Sequence, residues 1–350
     1  MTEKTYVSKT TPGSSRLRAL AEMAVHDWIV LAYASFLLIA VLAAPAGPVR
    51  DRSLSQVGGL FTVLVVTLVL VRGRILRDGI VSPLLYRIAI YGTVQISYFF
   101  FRELLPLVNS TSLDHELHTL GELLFGGEPA ILLDRYVTPA TTEWFAFFYF
   151  GYFFVLAVHV VPLLFLSKNQ RLVGELTFGM LFIFCVGHTL YMVVPGYGPY
   201  RAAADQFQNA FPPGLWLDVV MEAVASGGAQ KDIFPSLHTA APTLIALFSF
   251  RHRTIAPFRF TWPVMLFFST NIIVATMFLR WHYVLDVVAG LLLATLGQAL
   301  GVVVTDFELS RRRRSGLDPS WPVFALPRAA NAPLRAPALA ESGRMLKTRR

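Results

Sequence analysis

His282 and Asp286 stand four residues apart in the stretch 278–286, where two strongly apolar runs meet. On a helix that spacing puts both side chains on one face, one turn apart, so the carboxylate can hold an imidazole N–H. An imidazole fixed in one tautomer can attack phosphorus, and the carboxylate then stabilises the imidazolium that forms. Arg280 lies two residues before the histidine, and a guanidinium can grip two phosphate oxygens at once. Taken alone, a histidine and an aspartate at this spacing are accounted for equally well by a packed interhelical hydrogen bond. Their place at the rim of an apolar span, beside an arginine, points instead to phosphoryl transfer with His282 as nucleophile.

Two further clusters carry chemistry of the same kind. In the stretch 234–238, Ser236 suits a helix N-cap, and the free N–H groups of that first turn suit a phosphate. His238 then has the role of acid and base, protonating a leaving oxygen and later taking a proton from the acceptor. The turn 195–201 (Pro-Gly-Tyr-Gly-Pro-Tyr-Arg) offers Arg201, and less directly Tyr200 and Tyr197, to the phosphate. The plainer accounts are a tight turn after a span and an interfacial anchor. Lys231 adds a nearby charge, whereas His159 and His188 sit in apolar runs without a motif; for His188 a helix–helix hydrogen bond is the first reading and lining of a lipid cavity the alternative.

Elements must bring these turns together, and the composition says what kind. Of 350 residues, 55% are hydrophobic and only 15% charged, and the charges cluster between long apolar segments. That is an all-α, polytopic membrane protein. The net charge of +8 comes from basic residues bordering the spans, so it reads as topology rather than nucleic-acid binding. Cys185 is the one cysteine, which excludes an intrachain disulfide.

Eight apolar runs are expected to span: 28–44, 57–71, 88–105, 144–166, 172–194, 237–250, 260–279 and 283–304, the sixth being short. Seven spans is the alternative count. With the N-terminus in the cytoplasm, the inside loops collect Arg72, Arg74, Arg77 and Arg87, then Lys168 and Arg171, then Arg251, Arg253 and Arg259, and last Arg311 to Arg314. The outside loop 106–142 is acidic, and only Arg50 and Arg52 run against the scheme. Both termini are then cytoplasmic, and all three polar turns lie on the outer face, where they can converge. Residues 113–136 read as a lipid-surface helix broken by a turn, and 203–233 as a second surface element capping the site. The division is a cytoplasmic tail (1–27), two extra N-terminal spans (28–84), a six-helix catalytic core (85–305) and a basic, disordered cytoplasmic tail (306–350).

The three clusters, in this order and on one face, resemble the type 2 phosphatidic acid phosphatase superfamily. That pattern has a basic first motif, a Pro-Ser-Gly-His second motif and a third motif ending in His-xxx-Asp. Here the second motif is Pro235-Ser236-Leu237-His238, the third has Ala275 and Thr276 where the family has Ser-Arg, and the first lacks the family's Lys-x6-Arg-Pro. Phe-Pro-Ser-Leu-His and His282-Tyr283-Val284-Leu285-Asp286 are similar to the inositol phosphorylceramide synthase branch, over about residues 85–305. The resemblance implies His282 as nucleophile, Asp286 as its orienter and His238 as acid/base. Arg280, Arg201, Ser236 and Tyr200 are the candidate phosphate ligands, and the resemblance implies no metal or other cofactor.

The expected activity is transfer of a phospho-headgroup, inositol phosphate-like by resemblance, from a glycerophospholipid to a lipid hydroxyl such as ceramide or diacylglycerol. Its partners are membrane lipids. The alternative from the same site is a phosphatase acting on a lipid phosphate or polyprenyl diphosphate. A metalloenzyme with His282, Asp286 and His238 as ligands would be sensitive to chelation. A transporter would place charge deep in its spans, and these spans are nearly free of it.

Overall fold

A computed structural model of the chain describes residues 19–76, 79–227 and 230–324. Most of the N-terminal tail and the chain beyond 324 fall outside the described residues. The helices are α1 (Val25–Ala43), α2 (Pro48–Arg72), α3 (Val81–Val108), α4 (Asp114–Phe125), α5 (Pro139–Leu166), α6 (Gln170–Val193), α7 (Leu215–Gly227), α8 (Leu237–Arg251), α9 (Phe258–Phe278) and α10 (Val284–Ser315). The described residues contain no β-strand, only an isolated bridge between Gly196 and Asp232.

Every apolar run is a helix. Seven of them are long and apolar enough to cross a membrane, so the protein is a multi-pass membrane protein. The exception is α8, with 15 residues, the segment whose shortness the sequence showed. Several of the helices extend beyond their apolar stretches, and α5, α6 and α8 start at a side-chain cap. Thr138 accepts the N–H of Thr141 at 3.2 Å at the start of α5, and Pro139 occupies the first helical position. The 113–136 segment is the expected broken helix: α4 stops at Gly126 with φ +74°, the left-handed cap that glycine takes without strain.

The centre of the bundle is α6, the span with most of its surface covered, which packs on α1, α3, α8 and α10. Apolar side chains gain little by leaving lipid for one another, so helices in a membrane associate through close backbone approach at small residues. At the α6–α10 crossing a Cβ on Gly301 would lie 2.6 Å from the Glu175 carbonyl oxygen. α8 sits between α9 and α10, α9 leans on α5, and α7 lies along α5. Val63, Val66, Phe154, Val158, Leu292 and Val303 are exposed on the outside of the bundle, as lipid-facing residues should be.

The basic ends of the helices gather opposite the motif turns. Arg72 donates to Asp27 at 2.7 Å, Arg312 to Glu308 at 2.8 Å, and Glu175 accepts from Arg251 at 3.1 Å. Arg50 and Arg52, the two bases that opposed the charge pattern, have local duties. Arg50 donates to the Leu42 carbonyl at the end of α1 at 3.0 Å, and Arg52 pairs with Glu103 at 2.9 Å.

The tail boundary at 306 needs correction. α10 continues to Ser315, and the chain then folds back so that Trp321 is fully buried, stacked on His26 at 4.6 Å. Arg72 also donates to the Ser320 carbonyl at 2.8 Å. A composition rich in Pro, Ala and Arg conceals the one tryptophan that anchors this segment.

Candidate active site

Backbone hydrogen bonds lace the three motif turns into one unit. Tyr200 N–H donates to the Arg280 carbonyl at 2.8 Å, joining the first motif to the third. Ser236 N–H donates to the Asp286 carbonyl at 2.9 Å, joining the second motif to the third. Gly196 N–H reaches the Lys231 carbonyl at 3.3 Å, closing the ring. The contact between α8 and α10 requires Gly290: a Cβ there would stand 2.5 Å from the Ser236 carbonyl oxygen and 3.0 Å from Thr239 Cβ.

His282 is buried at the start of α10, and its Nδ1–H donates to Asp286 Oδ2 at 3.4 Å. The same oxygen accepts Tyr283 N–H at 2.8 Å, so the carboxylate is itself held in place. This leaves Nε2 of His282 as its free nitrogen. The His238 ring centroid is 6.5 Å from that of His282. Tyr149 stacks on His238 at 4.4 Å and Tyr152 packs beside it at 4.2 Å, fixing the ring's plane. His238 Nε2 is buried with no hydrogen-bond partner among the described residues, although a buried imidazole nitrogen ordinarily has one.

Both histidines line a cavity of about 490 Å³. Aromatic residues of α3, α5 and α6 form its walls, the turn residues Tyr197, Tyr200 and Trp281 its rim, and the end of α7 one side. The expected capping role of 203–233 is thus met by α7. His188, read as a helix–helix contact, is both that and a lining residue, with Nδ1 3.2 Å from the Tyr33 hydroxyl. The site can therefore present a nucleophilic imidazole and a second imidazole to one bound group.

A sequence profile described as the PAP2 superfamily matches residues 117–300, just over half of the chain, and these limits enclose all three turns. The chain belongs to the PAP2 superfamily. No curated protein and no solved structure matches it. PAP2 superfamily members are typically phosphatases or phosphotransferases acting on lipid-like substrates.

The cationic residues of this PAP2 protein differ most from what the sequence suggested. Arg280 does not face the histidines. Its guanidinium donates to Asp134 at 2.7 Å and to the Asn209 carbonyl, between the rings of Phe207 and Phe211 at 4.1 Å each. The cause is local: Arg280 follows the last turn of α9 with φ +65°, which turns its side chain away from the cavity-lining neighbours Trp281 and His282. Lys231 is buried and donates to the Thr111 and Ser110 carbonyls at 2.6 and 3.1 Å, and burial lowers its pKa. Arg201 lies exposed over the Tyr197 ring at 3.8 Å, with no carboxylate or carbonyl partner among the described residues. Ser236 is fully buried as the N-cap of α8, its Oγ accepting Thr239 N–H at 3.2 Å. Tyr200 lines the cavity and packs on Trp281 at 4.8 Å. Among the described residues no three His, Cys, Asp or Glu side chains gather at metal-ligand spacing.

Sequence reasoning missed the carboxylates that hold the site. Asp114 accepts the N–H groups of Tyr197 and Gly198, each at 2.8 Å, and the Tyr283 hydroxyl at 3.0 Å. Glu128 accepts Val284 N–H at 3.2 Å, capping α10 beside His282, and burial raises its pKa to about 7. Asp134 holds Arg280, and Glu143 caps α7 through Trp216 and Leu217 N–H, at 3.0 and 3.1 Å. The available signal was the excess of acid in 106–142, which served only to orient the protein. Asp232, six residues before His238, also lines the cavity.

Proposed function

We propose that this PAP2 protein is a lipid phosphotransferase working through a phosphohistidine on His282. The observation that carries the reading is the opposition of two imidazoles across one cavity, one oriented by a buried carboxylate and one with an unpaired nitrogen. In the first half-reaction Nε2 of His282 attacks the phosphorus of a glycerophospholipid, forming a P–N bond. The P–O bond to the glycerol breaks, and protonated His238 gives its proton to the departing alkoxide, releasing diacylglycerol. Asp286 holds the Nδ1 proton and balances the imidazolium charge. In the second half-reaction a lipid hydroxyl gives its proton to His238 as its oxygen attacks phosphorus, and the P–N bond breaks.

Ser236 contributes as the N-cap that takes the Thr239 N–H and fixes the first turn of α8, leaving the N–H groups of Leu237 and His238 for the phosphate. Arg201 and Tyr200 at the rim are its side-chain ligands. The positive-inside pattern assigns the cavity to the outer face and both termini to the cytoplasm. The test is purified protein in vesicles containing a headgroup-labelled glycerophospholipid, with and without ceramide or a diacylglycerol whose acyl chains differ from the donor's, and with chelator present. Label entering a new lipid only when acceptor is supplied establishes the transferase. Release of water-soluble phosphate regardless of acceptor assigns the same site to a phosphatase. No turnover of any lipid phosphate overturns both.

A further inference from the structure

The charge inventory of the cavity is lopsided. Among the described residues no lysine or arginine lines it, and Asp232 is the one carboxylate that does. Asp232 forms an isolated parallel bridge with Gly196, and the two adjacent charged side chains part there. Lys231 is sent outward to the carbonyls of 110 and 111, and Asp232 inward to the cavity. There Asp232 accepts the Tyr98 hydroxyl at 2.8 Å and has no ion-pair partner among the described residues. Burial raises its pKa, as expected for a carboxylate enclosed without a cation. Around it the lining is aromatic: Tyr98, Tyr149, Tyr191, Tyr200 and Trp281 share the cavity with it.

A buried carboxylate sharing a cavity with several aromatic side chains is the chemistry that receives an ammonium, above all a methylated one too poorly hydrated to prefer water. We infer that Asp232 and these aromatic residues form a subsite for the quaternary ammonium of a phosphocholine-type headgroup, whose phosphate lies at His282. The assignment rests on reading this cavity as the phosphoryl-transfer site. It departs from the inositol-type headgroup implied by resemblance. A polyol needs many donors and acceptors, and apart from the tyrosine hydroxyls and the histidines the polar lining is Gln95, Ser226, Gln230 and Asp232. A polyol phosphate would also leave the Asp232 carboxylate without a counter-charge of its own, whereas a zwitterion brings a cation to it.

The test compares ligands that differ only in that charge. Calorimetry on the purified full-length protein measures phosphocholine, its uncharged carbon isostere 3,3-dimethylbutyl phosphate, and inositol phosphate. Phosphocholine should bind at least tenfold more tightly than the other two, and Asp232→Asn should remove that preference. Should the variant not fold, the wild-type comparison decides alone. Equal binding of phosphocholine and its isostere, or tighter binding of inositol phosphate, overturns the subsite. Turnover in vesicles of headgroup-labelled phosphatidylcholine or phosphatidylinositol separates the two readings. Preference for phosphocholine with no lipid turned over would leave the subsite standing and remove the transferase. Turnover of phosphatidylinositol with no phosphocholine preference would do the reverse.

Discussion

Gly290→Ala should damage this protein and its proposed activity although it touches no proposed chemical group. Gly290 is helical, and in an unobstructed helix alanine would gain about 1 kcal/mol over glycine. Here the new Cβ would meet the Ser236 carbonyl oxygen at 2.5 Å, where ordinary contact begins at 3.4 Å. The obstacle is backbone, so no rotamer change relieves it. α10 must move away from the start of α8 by roughly 0.9 Å, the difference between those distances. That movement strains the Ser236–Asp286 backbone bond and separates His282 from His238. Overpacking of this size costs about 1–3 kcal/mol, which outweighs the propensity gain. A misplacement near 1 Å costs about 100-fold in rate. The assay is turnover in lipid vesicles alongside thermal unfolding in detergent, with Gly59→Ala as control because nothing lies within 4 Å of that position. Wild-type turnover and melting by Gly290→Ala would refute the argument that this helix contact sets the spacing of the histidines.

Removing the chemical groups has sharper signatures. His282→Ala should lower turnover by about 10⁴-fold or more, and Asp286→Asn by about 10³- to 10⁴-fold with the fold retained; near-normal kcat in either would remove that residue from the chemistry. Arg280→Gln and Asp134→Asn should behave alike, each costing about 3 kcal/mol of stability by orphaning a buried charge, with KM little changed. A KM rise without a drop in melting temperature would return Arg280 to the phosphate. Glu128 has a folded pKa near 7 against 4.5 in a free chain. The folded state therefore holds the proton more tightly, so Glu128 is most favourable to the fold below pH 4.5, and that contribution is lost as pH rises to about 7. Melting temperature followed from pH 5 to 8 should flatten in Glu128→Gln, and an unchanged slope would contradict the burial argument.

Periodicity and charge made the scaffold legible. Apolar runs marked eight of the ten helices α1–α10, and glycine at 126 marked the break in the 113–136 segment. The short run at 237–250 was recognisable as short before its helix was seen. His238, His282 and Asp286 could be grouped because histidines at span ends are costly without a use. The supporting carboxylates were not legible, because Asp114 and Glu128 serve amides more than 80 residues away in sequence, and in an acidic loop they look merely solvated. Arg280 misled for a related reason. Proximity in sequence to His282 suggested a shared ligand, but a left-handed residue reverses side-chain direction, and no composition reveals that.

The length of α8 has a consequence for where the reaction takes place. Fifteen residues span about 22 Å, against roughly 30 Å for a hydrocarbon core. Its far end is tied down by Arg251 and His252, both bonded to Glu175. If that end marks one boundary, the end bearing His238 stops about 8 Å short of the other. In the proposed reaction a donor lipid would then have to sink below headgroup level, or the bilayer thin around the cavity mouth, before phosphorus met His282. Hydrophobic mismatch would become part of the activation barrier, and membranes of shorter acyl chains would lower it by bringing the interface down to the site.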